Sequence, residues 1–322
     1  MKLSELRKDP AEGPVVVVAS EVEGDEQSPS ADSPTGVVQS TTPSGIGIYY
    51  QEGPVRLYRI CDQLDPTGQT VEEWRQVPSV STPLEVLEKG GLSWWGMKVG
   101  IAGALKVAVP NDLDRVTPEL HHDGPEVQAI VDRLTPAKLT VNHIRDHAAT
   151  RGTNVHTGLE LYAECGVIPA PELYPEHERG YVAGVRQFLI DAKPVVEHSE
   201  LMVASAEHGF AGRFDLVAQI DEGRPVATKC YPKRASVIDP FPGGRVLIDL
   251  KTSKGVYASY HIQLAGYRAG LVECGYGDVD IAGVVRVTPE GKYEFVPGRA
   301  VLEDYLAVLD TWNRVRRIEG KA

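Results

Sequence analysis

Arg245-Val-Leu-Ile-Asp-Leu-Lys-Thr252 is the stretch from which the rest of the chain can be read. Side chains of a strand alternate between its two faces, so Val246, Ile248 and Leu250 share one face and Asp249 and Lys251 the other. A carboxylate and an ammonium thus stand side by side on a segment that otherwise belongs in a core. Buried charge is costly unless it is paired or bound to a metal. Two readings follow: a plain ion pair on the solvated face of an edge strand, or a functional pair held by a sheet.

The flanking sequence supplies the sheet. Residues 195–204 and 212–220 are β-rich and bounded by turn residues, and 279–287 and 292–296 are further strands. Helical periodicity predicts helices over 176–193, 259–274 and 301–318. Nearer the amino terminus, strands are expected at 46–50 and 55–60. A helix opens at Thr82-Pro83, with Thr82 as cap, and stops at Gly90-Gly91; another covers 93–108. A loop at 111–124 precedes helices at 125–134, 137–149 and from Thr153, a second cap, to 163. This order predicts an α/β or mixed α+β fold with a mixed sheet. Residues 1–45, rich in Ser, Pro and acids, read as a flexible acidic arm. Residues 46–150 read as strands and a helical region packed on the core, and 151–322 as the core itself, with an insertion at 221–244.

Composition narrows the function. A length of 322 residues allows one large core or two smaller ones. The net charge of −12 argues against a simple nucleic-acid coat, which would be basic, but not against a metal-dependent nuclease, which gathers acids at its site. No apolar run approaches the roughly 20 residues of a membrane span, and no secretory signal is visible, so a cytoplasmic location is expected. Cys61, Cys165, Cys230 and Cys274 form no CxxC pair, and four free thiols are expected. No Walker A sequence occurs.

Four features fall in order: His156 with Glu160 one turn later; Gly212-Arg-Phe-Asp215; Asp249-Leu-Lys251; and Gln263 with Tyr267 four residues on, on one helix face. Phosphodiester cleavage needs a divalent cation to polarise the phosphate and activate a water, and Mg²⁺ takes oxygen ligands such as two carboxylates. Asp215 and Asp249 on adjacent antiparallel strands can supply them from one sheet face. Lys251 remains on that face, where it can orient or deprotonate the water or steady developing negative charge. A histidine ligand shifts the preference somewhat towards Mn²⁺.

The pattern resembles the PD-(D/E)xK nuclease superfamily, and within it the RecB-like exonuclease branch of phage and CRISPR-associated type. The resemblance rests on Arg151-Gly-Thr-x-x-His156, Ala211-Gly-Arg-Phe-Asp215, Asp249-Leu-Lys-Thr252 and Gln263-x-x-x-Tyr267, with Pro78-Ser-Val-Ser-Thr82 and Leu92-Ser-Trp-Trp95 before them. It spans roughly residues 75–318 and implies a restriction-endonuclease-like core, a central mixed sheet flanked by helices after a helical amino-terminal region. It implies Mg²⁺ or Mn²⁺ held by His156, Asp215, Asp249 and the Leu250 carbonyl, with Asp215, Asp249 and Lys251 catalytic. Gln263, Tyr267, Thr252 and Arg151 would support the site or contact substrate, although Tyr267 reads equally well as core. Glu200 resembles an acidic position of the family, with Glu197 competing for it. Glu160 is either a supporting acid or a solvated one, the latter slightly favoured.

Two features depart from the family pattern. The insertion lengthens the separation of Asp215 and Asp249, and its Lys229, Lys233 and Arg234 either contact DNA phosphates or belong to a solvated loop. The carboxy-terminal cysteine cluster of some relatives is missing, so no iron–sulfur cluster is expected. The resemblance implies a metal-dependent DNA exonuclease of phage or bacterial recombination, repair or replication, acting in the cytoplasm (the host's, if phage-encoded). Its partners would be linear DNA ends, single- or double-stranded, and a recombinase or single-strand-binding protein, without a membrane. An endonuclease or nickase on the same core, or a catalytically idle recruitment module, are the alternatives.

Overall fold

The computed structural model describes residues 37–52, 56–61, 74–87, 92–107, 125–229 and 241–321. The fold is mixed α+β, with mixed and antiparallel sheets flanked by helices. Two compact units are present: Met1–Leu87 together with Val155–Ala322, and Glu88–Asn154. Among the described residues no helix is long and apolar enough to cross a membrane.

The first unit opens with four short antiparallel strands in sequence order: β1 (Val37–Thr41), β2 (Gly47–Gln51), β3 (Leu57–Cys61) and β4 (Arg75–Val77). Order therefore begins by residue 37, inside the stretch read as arm. Val38 pairs with Tyr50, so β1 obtains its ladder from β2 despite polar surroundings. β2 and β3 fall where strands were expected, and β1 and β4 extend them into a four-stranded layer. Ile48, Tyr50, Tyr58 and Ile60 are buried with the core, so this layer is part of it. The 3-10 turn Pro83–Val86 follows, without side-chain capping by Thr82; instead Ser79 Oγ accepts the Thr82 amide at 3.2 Å.

The second unit contains α1 (Leu92–Val107), α2 (Pro125–Leu134) and the first part of α3 (Val141–Cys165). Gly103 lets α1 approach closely: a Cβ there would stand 2.9 Å from Leu134 Cδ2 and from the Leu139 carbonyl. The loop expected over 111–124 lies outside the described residues, as do residues 1–36. The two helices expected over 137–163 are one. Thr153 stands inside that helix rather than at its start; its hydroxyl donates to the Ala149 carbonyl, and that back-bonding lets a threonine sit inside a continuous helix.

The core sheet of the first unit has the order β11-β10-β9-β8-β5. Its members are β5 (Val195–Ser199), β8 (Leu216–Ile220), β9 (Gly244–Lys251), β10 (Ile281–Val287) and β11 (Tyr293–Pro297). β9 runs parallel to β10 and antiparallel to β8, and the other pairings are antiparallel. A small hairpin of β6 (Met202–Ser205) and β7 (Phe210–Arg213) stands apart from this sheet. The two long strands read from the sequence are thus each broken, at Glu200-Leu201 and at Phe214-Asp215, where the chain leaves one sheet for the other.

Both faces of the core sheet are covered. Val246, Ile248 and Leu250 pack with Val155 and Leu159 of α3 and with α4 (Glu176–Ala192), through Val185, Phe188 and Leu189. Leu247 and Val217 face the other way, onto Leu264 and Leu271 of α5 (Ala258–Glu273) and Tyr305 and Leu309 of α6 (Leu302–Ile318). β9 is therefore a central strand, not an edge, which disposes of the solvated-face reading of Asp249 and Lys251. Asp249 is 2% exposed.

Candidate metal and catalytic site

The site forms at the carboxyl end of β9. Leu216 pairs with Ile248, and continuing that register by one step sets Asp215 opposite Asp249 on the face shared with Val217 and Leu247. Asp215 lies in the bend between β7 and β8 rather than on a strand. The Leu250 amide donates to Asp215 Oδ2 at 2.6 Å and fixes the carboxylate across the strand end.

α3 delivers His156 from the side. Its Nε2–H donates to the Leu250 carbonyl at 3.0 Å, and its Nδ1 lies 3.4 Å from Asp215 Oδ1. Burial works to lower the His156 pKa, but the charge of Asp215 and its hydrogen bond more than offset that, and the value is pushed up to about 9. Asp215 thus favours the protonated ring, and a cation bound through Nδ1 would displace that proton. Asp215 is pushed upwards by burial and held down more strongly by His156, Lys251 and the Leu250 amide; the net direction is down.

Lys251 Nζ stands 2.7 Å from Asp249 Oδ2, near enough for an ion pair. Burial raises the Asp249 pKa, Lys251 opposes this and Asp215 reinforces it, with a net rise. Lys251 moves in the direction that keeps it charged: burial would lower its pKa, but Asp249 and Asp215 outweigh it. Both partners rise because burial dominates at Asp249, whereas at Lys251 the attraction of two carboxylates outweighs burial. Lys251 is accordingly a fixed cation facing two acids.

Glu200, the acidic position weighed against Glu197, belongs to this site. It turns through a left-handed backbone (φ 50°), its amide donates to the Asp215 carbonyl at 3.0 Å, and its carboxylate meets Arg213 Nε at 2.8 Å. Burial first, then Asp215, pushes its pKa up to about 7, with Glu160 adding in the same direction. Glu197 pairs instead with Arg245 at 2.6 Å, at the opposite end of β9.

Ligand atoms of His156, Glu200 and Asp215 all lie within 4.8 Å of one another. Donors about 2.1 Å from one small divalent ion stand roughly 3–4 Å apart, so modest side-chain adjustment satisfies the set. Asp249 stands outside that group of three, its Oδ2 turned to Lys251; the group itself, two carboxylates and one imidazole, suits a hard or borderline cation.

α5 walls the site. Gln263 Nε2 donates to the Tyr267 hydroxyl at 3.0 Å, and Tyr267 is buried against the core, so it acts as a wall. Gly212 makes room for it: a Cβ there would meet Tyr267 Cε1 and Val80 Cγ2, each at 2.8 Å. Sequence reasoning missed Tyr260, whose ring centroid lies 5.2 Å from Lys251 Nζ. Its signal was present: it stands one turn before Gln263 and two before Tyr267 on the same helix. Thr252 is half-buried just past the end of β9.

The remaining expected residues fall elsewhere. Arg151 belongs to the Glu88–Asn154 unit. Lys229 Nζ is paired with Glu294 at 3.1 Å, and Arg286 shares that carboxylate. Lys233 and Arg234 lie outside the described residues. No model of a known protein family matches the chain, and no curated protein matches it.

Proposed function

We propose that the protein is a metal-dependent deoxyribonuclease, an exonuclease that hydrolyses phosphodiester bonds from linear DNA ends, in phage or bacterial recombination, repair or replication. One observation carries the reading: two carboxylates, a histidine, a backbone carbonyl and a charged lysine converge at the end of a central strand, where buried charge needs a compensating purpose. The PD-(D/E)xK resemblance of these same residues supports it. The cation would be Mg²⁺ or Mn²⁺, held by Asp215, Asp249, His156 and the Leu250 carbonyl, with Glu200 beside them. When bound it would supply a Lewis acid to the phosphate and activate the attacking water.

The chain's own residues do the rest. The Leu250 amide keeps Asp215 in place, and the Asp215 and Leu250 contacts hold the His156 ring. Lys251, kept protonated by its two acids, is placed to stabilise charge on the phosphate rather than to remove a proton. Tyr267, buried near both carboxylates, closes the apolar side.

The test uses end-labelled linear DNA and closed circular DNA, each with Mg²⁺ or Mn²⁺. Shortening of the linear DNA alone supports the exonuclease; nicking of the circle favours the endonuclease. Binding without cleavage under either ion leaves only the recruitment module.

A further inference from the structure

The loop that follows Lys251 leads into an exposed aromatic pair. Tyr257, at the amino-terminal cap of α5, is 51% exposed. Its ring meets that of Tyr260 edge-on, with centroids 5.5 Å apart. Tyr260 in turn lies over Lys251, so the pair begins one side chain away from the proposed reaction centre. Scattered exposed hydrophobics are ordinary; an exposed tyrosine held edge-on to a second one at the mouth of a charged site is not scattered.

The mounting is rigid. Arg286 Nη1 donates to the Lys254 carbonyl at 3.2 Å and reaches the Ser253 carbonyl at 3.5 Å, while its Nε is anchored on the buried carboxylate of Glu294. Ser253 Oγ donates to the Gly255 carbonyl at 2.7 Å, and the Tyr260 amide to the Tyr257 carbonyl at 3.0 Å. Arg286 sits opposite Lys251 in the β9–β10 register, so strand and loop are braced together. Lys254 is exposed beside the pair.

The geometry points to Tyr257, propped edge-on by Tyr260, as a stacking shelf for an unpaired nucleobase of the strand being cut, with Lys254 beside it for a backbone phosphate. This rests on the nuclease reading above and adds the substrate class: a single-stranded or frayed end. Bases within a duplex already have both faces stacked, whereas an unpaired base offers a free face, and aromatic stacking is sequence-tolerant. An apolar protein partner would be a poorer match, because the exposed Lys254 beside the shelf is neutralised by a phosphodiester strand and not by an apolar surface.

The experiment uses the full chain with Mg²⁺ and a single-stranded oligodeoxynucleotide carrying 2-aminopurine near one end and phosphorothioate linkages throughout to resist cleavage. Wild type and Tyr257→Phe quench the 2-aminopurine on binding. Tyr257→Ala loses the quench and binds about 10-fold more weakly, the order expected for one lost base stack. On unmodified DNA, Tyr257→Ala loses its single- over double-strand preference through KM, with kcat little changed. Quenching and affinity equal to wild type in Tyr257→Ala overturn the shelf. The two ideas separate cleanly. Wild-type protein that shortens DNA while Tyr257→Ala behaves identically removes the shelf alone. Wild-type protein that quenches through Tyr257 yet shortens no DNA removes the nuclease reading alone.

Discussion

Gly212→Ala is the sharpest test of how the site is built. The added methyl would stand 2.8 Å from Tyr267 Cε1, 2.8 Å from Val80 Cγ2 and 3.1 Å from Val80 Cβ. Neither neighbour is the loose end of a long chain: Val80 is fully buried and Tyr267 is 7% exposed. Forcing a methyl into a packed core costs about 1–3 kcal/mol, and this double contact belongs in the upper part of that range. The alanine regains about 0.4–1 kcal/mol by restricting the unfolded chain. The net loss is about 1–2.5 kcal/mol. With a urea slope near 3 kcal/mol/M, the unfolding midpoint falls by about 0.3–0.8 M. Gly255→Ala is the control: a Cβ there has nothing within 4 Å, so its midpoint stays level or rises slightly. Equal midpoints for the two variants would refute the argument that glycine is needed at 212 for the approach of Tyr267.

Other expectations follow from single groups. The His156 pKa is raised from 6.5 to about 9, so its pairing with Asp215 stabilises the metal-free fold fully below pH 6.5 and is lost as pH rises through 9. Thermal unfolding in chelator should show that loss, at most about 3 kcal/mol, and His156→Gln should flatten it; an unchanged pH profile would sink the assignment. Tyr305→Phe should leave stability unchanged or raise it by about 1 kcal/mol, since the buried hydroxyl has no partner among the described residues; a loss above 1 kcal/mol in urea would contradict this. Cys274 is buried, its Sγ accepts from the Ala204 amide and donates to the Ala204 carbonyl, and burial pushes its thiol up to about 11. Mass spectrometry after iodoacetamide treatment of native protein at pH 8 should find Cys165 modified well before Cys274, and the reverse order would be wrong for this fold.

The period-two alternation of residues 246–251 was enough to find the strand and to place Asp249 and Lys251 on one face, because that rule depends on backbone geometry alone. It could not say that both faces are covered, since burial of the Asp249 face depends on α5, β6 and β7 arriving from elsewhere in the chain. Glu200 shows the same limit. Nothing local marks a glutamate for a left-handed turn; the turn is held by Arg213 and the Asp215 carbonyl, both more than ten residues away. That turn breaks the first expected strand, and the Phe214-Asp215 bend breaks the second, because the chain changes sheets there. The error at Thr153 was of another kind. A hydroxyl residue after glycine has the signature of a helix start, and the sequence does not reveal that the hydroxyl will bond backwards within one helix. Tyr260 shares the helical spacing of Gln263 and Tyr267, but its place over Lys251 depends on how α5 docks beside β9, which no local pattern states.

The central claim is that Asp249 and Lys251 form half of a cation-dependent hydrolytic centre. The direct measurement is release of nucleotides from end-labelled linear DNA by wild type, Asp249→Ala and Lys251→Ala, with Mg²⁺ or Mn²⁺ and with chelator. Wild type should release label only with the cation, and each variant should be slower by about 100-fold or more. Release that persists in chelator, or that is undiminished in both variants, would contradict the account.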